Sequence, residues 1–197
     1  MSIFITRLVS GLSVGCLYAF IALAAVTVNK GTRTLNFSQG QMAMFSAFIA
    51  WSLGSHGVPV GWAAAISALA GFVLAALVQV ILIQPLERKP AQSRLLITIG
   101  LYLGVNSLAG VIWGLDPVAS RSIFPSGAKD YISVGGARVY YSSIGLVALL
   151  LVVCALLGVL VNFTSFGLQM RAVASNPDSA RLAGIRVARI NAVVWGI

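Results

Sequence analysis

What most constrains this chain is the recurrence of uncharged apolar runs, at residues 8–28, 37–53, 61–84, 95–113 and 143–163, with a further one beginning at 191. About 20 helical residues cross a hydrocarbon core, and backbone inside lipid must satisfy its own hydrogen bonds, which a helix does within one segment. The runs therefore predict an all-α fold, a polytopic transmembrane helical bundle embedded in a lipid bilayer. Composition agrees, since 59% of residues are hydrophobic, 9% are charged and the mean hydropathy is +0.97, outside the range of soluble domains.

The formal net charge of +9 would suggest nucleic acid in a soluble protein. Here the basic residues gather in the breaks between runs, at Lys30 and Arg33, at Arg88, Lys89 and Arg94, and from Arg171 to Arg189. The cytoplasmic bias of basic loops accounts for them, so no nucleic-acid partner is expected. The same breaks set the topology. If 37–53 crosses the membrane, all three fall on the cytoplasmic side and the N-terminus lies outside; if it is re-entrant, the first is separated from the other two. The crossing is the preferred reading. It places residues 114–142 outside as a long loop, in which alternation on both sides of Gly135-Gly136 signals a short hairpin. Such a hairpin either meets a partner or caps the helix ends. The short run from 191 suggests that the chain is truncated at its C-terminus.

Within the spans, Gly11, Gly15 and Ala19 form one small-residue face, and Gly100 and Gly104 another. Such faces let helix backbones approach closely. Cys16 and Cys154 sit in apolar runs at no metal-site spacing. His56 has no carboxylate or cysteine near it in sequence and reads as an ordinary loop residue. Polar residues in or beside the spans, namely Asn36, Ser38, Gln39, Gln41, Thr98 and Asn106, are candidates for a translocation path. Interhelical hydrogen bonding is their structural alternative.

The acids Glu87, Asp116, Asp130 and Asp178 all fall in the breaks. Ion-coupled carriers often use ionisable groups or broken-helix ion sites inside the membrane, and none is evident. No glycine-rich phosphate loop is present either, so any ATPase that energises transport must be another chain. No metal or cofactor is expected on this one, and no enzymatic activity.

The longest basic break is residues 167–189. Asn176 is a good N-cap, Pro177 suits the first helical position, Asp178 the positive end of the helix dipole, and Gly184 the helix stop. A helix of barely two turns is marginal alone, so lipid headgroups or another protein must hold it.

Gly167, Arg171-Ala172-Val173-Ala174, Asn176, Asp178-Ser179-Ala180 and Gly184-Ile185 resemble the cytoplasmic coupling loop of membrane subunits of ABC importers, specifically the branched-chain amino acid permease family. In that superfamily the loop carries Glu-Ala-Ala followed after three residues by Gly; Asp178, Ser179, Ala180 and Gly184 keep the spacing. Leu35-Asn36-Phe37-Ser38-Gln39-Gly40-Gln41 and Leu96-Ile97-Thr98-Ile99-Gly100-Leu101 are similar to the same family. Many relatives have His-Gly-acid where this chain has Gln39-Gly40-Gln41, so no acidic role carries over there.

The resemblance implies a permease subunit in a bacterial inner membrane, importing branched-chain or other hydrophobic amino acids. It implies ATP-binding cassette subunits that carry ATP and Mg, a second homologous permease subunit, and an extracytoplasmic substrate-binding protein on the side of the 114–142 loop. The short cytoplasmic coupling helix would enter a groove on an ATP-binding subunit. Arg171, Asn176, Asp178, Ser179, Ala180, Arg181, Leu182 and Gly184 would form that coupling element, with Ala180 and Leu182 as contacts and Arg171 or Arg181 at the rim. Two other function classes stand beside it. A passive channel for urea, an amide or a similar small polar solute would be lined by Asn36, Gln39, Gln41 and Asn106. An intramembrane serine protease lacks a histidine near any membrane serine.

Overall fold

The computed structural model describes every residue except 1, 87, 88, 115, 117, 119–122, 126, 128, 129, 135 and 136. Glu87, Arg88 and the Gly135-Gly136 turn thus lie outside the described residues. Eight α-helices and one two-stranded sheet make up the described chain: α1 (Ser2–Thr32), α2 (Gln39–Ser55), α3 (Val60–Val78), α4 (Ala91–Trp113), β1 (Tyr131–Val134), β2 (Ala137–Tyr140), α5 (Tyr141–Phe163), α6 (Ser165–Ser175), α7 (Pro177–Leu182) and α8 (Val187–Gly196). A π turn, Gln79–Ile83, and a 3-10 turn, Gln84–Leu86, continue α3.

The molecule is an all-α bundle with four helical segments long and apolar enough to cross a membrane: Phe4–Thr32, Val60–Leu86, Gln92–Trp113 and Tyr141–Phe163. The helix α2, with 17 residues, reaches only about 25 Å at 1.5 Å per residue. Its link to α3 is short, so the two pack side by side as an antiparallel pair. On its other flank α2 meets α4 through Trp113, which stacks on Phe48 at 5.3 Å and takes Phe45 edge-on at 5.0 Å.

Two apolar clusters hold the bundle. Val28, Met42, Ala75, Val78, Ile83 and Trp195 join α1, α2, the α3 segment and α8. Met170, Val173, Ala180, Val187, Ile190 and Val194 join α6, α7 and α8. Gly31 lies between the helices, where an added Cβ would press on Met170 and Val194. The end of α1 is thus pinned beside the helix that follows α5, so α1 and α5 run the same way.

The strands pair antiparallel with Tyr131 opposite Tyr140 and Ile132 opposite Val139. Tyr131 and Tyr140 meet edge to face at 6.2 Å, and the Arg138 guanidinium lies 5.1 Å from the centre of the Tyr131 ring. The hairpin rests against α1 and α5, which supplies the support an isolated hairpin lacks.

Among the described residues nothing packs on the glycines of the small-residue faces. A Cβ at Gly11, Gly15, Gly100 or Gly104 would meet nothing within 4 Å. Cys16, on a neighbouring face of α1, is the residue turned inward, at 3% exposure. The Gly11 and Gly15 face thus stays open toward other protein, and α1 docks on its own chain through the adjoining stripe. His56 caps α2, its Nδ1 lying 2.7 Å from the Ser52 carbonyl oxygen, in keeping with a loop residue.

Candidate functional site

The three basic breaks meet at one end of the bundle, where Arg33, Arg94 and Arg181 line a single cavity. At this end the chain turns sharply out of α5. Thr164 caps α6, its Oγ1 accepting from the Gly167 amide at 3.1 Å. A Cβ at Gly167 would run into the carbonyl oxygens of Leu160 and Val161, so only glycine lets α6 fold back so closely.

The next helix, α7, is built from local signals. The Asn176 side-chain oxygen accepts from the amides of Asp178 at 3.0 Å and Ser179 at 3.1 Å, which satisfies two of the free donors of a helix start. Pro177 follows at the first helical position. Asp178 accepts from Arg181 at 2.8 Å, an exposed pair that stabilises weakly. Gly184 ends the helix with φ +80; its amide donates to Arg181 and that of Ile185 to Ala180, both at 3.0 Å. This is the paired closure typical of a glycine stop. Ile185 packs on the cluster that contains Ala180.

The two faces of α7 differ. Ala180 is 4% exposed and anchors the helix on Met170, Val173, Val187 and their neighbours. Leu182 is 91% exposed. Ala180 was expected to contact a partner; its burial against its own chain removes it from that surface and leaves Leu182 as the projecting apolar side chain. Two residues apart on a helix are about 200° apart around the axis, so the spacing already forbids both from facing one way. Arg171, Asn176, Asp178, Ser179 and Arg181 are exposed around Leu182.

The six path candidates are Asn36, Ser38, Gln39, Gln41, Thr98 and Asn106. Asn36 and Ser38 form a turn before α2, Asn36 Oδ1 accepting from the Ser38 amide at 3.0 Å and from its hydroxyl at 2.6 Å. Thr98 is fully buried and returns its hydroxyl to the Leu95 carbonyl at 2.8 Å. Asn106 is exposed on the outward face of α4. Gln39 and Gln41 each bury a side-chain oxygen without a hydrogen-bond partner among the described residues. None of the six lines the cavity at the basic end. That cavity uses residues the sequence reading passed over, notably Gln79 and Asn191. The available signal was an amide inside an apolar run, at Gln79, and another opening the run at Asn191.

One protein family matches residues 7–197, the one described as "Branched-chain amino acid transport system / permease component". No curated protein and no solved structure matches the chain.

Proposed function

Since the chain belongs to the permease-component family of branched-chain amino acid transport systems, we propose that it is the membrane-spanning subunit of an ATP-driven importer for branched-chain or other hydrophobic amino acids, with α7 as its coupling helix. The observation that carries this reading is the division of α7 into an anchored face and a projecting one, Ala180 at 4% and Leu182 at 91% exposure. A short amphipathic helix offering a leucine suits a hydrophobic groove on a partner. The partner here is an ATP-binding cassette subunit, which carries the ATP and Mg. Arg171 and Ser179 lie at the rim of that contact, where polar groups set orientation more than affinity.

Because Ala180 shares a cluster with α6 and α8, a force on Leu182 moves the three helices together. The helix α8 packs in turn on α3 and α1, so closure of two ATP-binding subunits is relayed as a rigid-body shift into the bundle. A second permease subunit completes the translocation path. A substrate-binding protein delivers cargo at the opposite end, where the hairpin lies. The setting is a bacterial inner membrane.

The test is thiol crosslinking in the assembled importer with Cys16 and Cys154 replaced and cysteine placed at Leu182. Crosslinks to the ATP-binding subunit that change in yield with ATP are expected, and cysteine at Ala180 should react far less. An assembled complex with no crosslink from Leu182 would sink the coupling role.

A further inference from the structure

The helix α8 carries two stripes. Val187, Ile190 and Val194 pack with α6 and α7. Asn191 and Trp195, one turn apart on the adjoining stripe, turn toward the α3 segment. Asn191 shares a cavity wall with Gln79, and Trp195 is buried in one cluster with Ala75, Val78 and Ile83. A Cβ on Gly196 would run into the Phe72 ring, so α8 lies close against α3 and runs antiparallel to it. One short helix thus touches both the coupling segment and the membrane core.

At this contact a donor and an acceptor are both buried without a partner among the described residues: the Trp195 indole Nε1 and the Gln79 Oε1. The first can only donate and the second only accept. A helical side chain leans toward the start of its own helix, which on α8 is the direction of Asn191 and hence of Gln79. The two groups therefore face each other's element with complementary chemistry, and leaving both unmet is costly. Gln79 also opens the π turn Gln79–Ile83, whose bond runs from the Gln84 amide to the Gln79 carbonyl oxygen. Pro85 supplies the reason for the wide turn, since in a regular helix its ring would crowd the carbonyl of Ile81. Such turns recur at functional sites. This one gives the α3 segment a place where Gln79 changes its aim without the helix unfolding.

We propose that Gln79 and Trp195 form a two-position latch between the coupling segment and α3. It is open in this structure, and it closes through a hydrogen bond from the Trp195 indole N–H to Gln79 Oε1 when α8 is driven against the π turn. The driving force rests on the transport reading above, in which ATP-binding subunits move α7. With the latch open, α8 meets α3 through apolar packing, which has no preferred direction. The closed latch adds a directional bond present in one state only, which is what a shift between two states requires.

The experiment follows the indole N–H resonance of Trp195 in the nitrogen-labelled, assembled importer, assigned by its loss in Trp195→Phe. Without nucleotide it should lie where an indole without an acceptor lies. With ATP and vanadate it should move downfield, and Gln79→Met, which keeps the volume and removes the acceptor, should abolish the move. In uptake assays Gln79→Met and Trp195→Phe should each lower substrate carried per ATP hydrolysed about threefold, and the double variant no further, because both remove the same bond. Gln79→Met should leave the melting temperature of the nucleotide-free chain unchanged or raised, since it removes an unmet buried group. A resonance already downfield without nucleotide, from a bridging water or another acceptor, overturns the latch. So do additive losses in the double variant, or a lowered melting temperature with coupling intact, either of which would assign the two side chains to packing. A Leu182 crosslink that responds to ATP while the resonance stays in place overturns the latch alone; a missing crosslink sinks the coupling reading and the latch with it.

Discussion

At the scale of single residues, the start of α7 rests on Asn176. One side-chain oxygen serves two amides, and a helix of six residues has few other bonds to hold its start. Replacing such a cap by Ala costs about 1 kcal/mol. Asn176→Ala should therefore raise amide exchange at Asp178 and Ser179 severalfold, while Asn176→Asp, which keeps an acceptor, should exchange like the parent; equal protection in all three would contradict the capping role. The Asn176, Pro177 and Gly184 signals were legible because they act within a few residues of themselves. The inward turn of Ala180 depends on α6 and α8 packing behind it, and only the 200° offset from Leu182 hinted at it.

At the scale of elements, the corner between α5 and α6 shows how a tertiary constraint hides in a common residue. Gly158 and Gly167 look alike in a glycine-rich membrane chain. A Cβ at Gly158 meets nothing, whereas one at Gly167 meets backbone oxygens of the preceding helix, which cannot yield without opening the corner. Gly167→Ala should cost about 1–3 kcal/mol, the usual toll of overpacking, and lower the melting temperature in detergent. Gly158→Ala should leave it unchanged or raise it, since Ala is the better helix former. Equal effects from the two would refute the close approach. The helices α1, α3, α4 and α5 follow the apolar runs because length and hydropathy set them locally. The π turn at Gln79–Ile83 does not show in those runs, because it is an adjustment of hydrogen bonding that places side chains without changing composition.

At the scale of the whole molecule, the arrangement of ends gives the topology a testable form. Arg33 precedes α2, Gln79 and Ile83 close the α3 segment, Arg94 opens α4, and all four line one cavity. The α2 and α3 pair therefore departs from the basic end and returns to it, carrying residues 55–59 to the far end. The hairpin leads directly into α5, whose own exit is at the basic end, so the strands share the far end. Basic loops favour the cytoplasmic side, so the basic end is expected to face the cytoplasm. Impermeant thiol labelling of intact cells, with Cys16 and Cys154 replaced, should then modify a cysteine at Gly57 or Ser133. The same reagent should reach cysteines at Arg33, Lys89 or Leu182 only after permeabilisation. A cysteine at Gly57 protected like Arg33 would mean that α2 turns back within the bilayer, since a helix of about 25 Å is near the lower limit for crossing. A label at Gly57 from outside would instead show that this short helix crosses, with the bilayer thinned or flanking residues reaching to the interface around it.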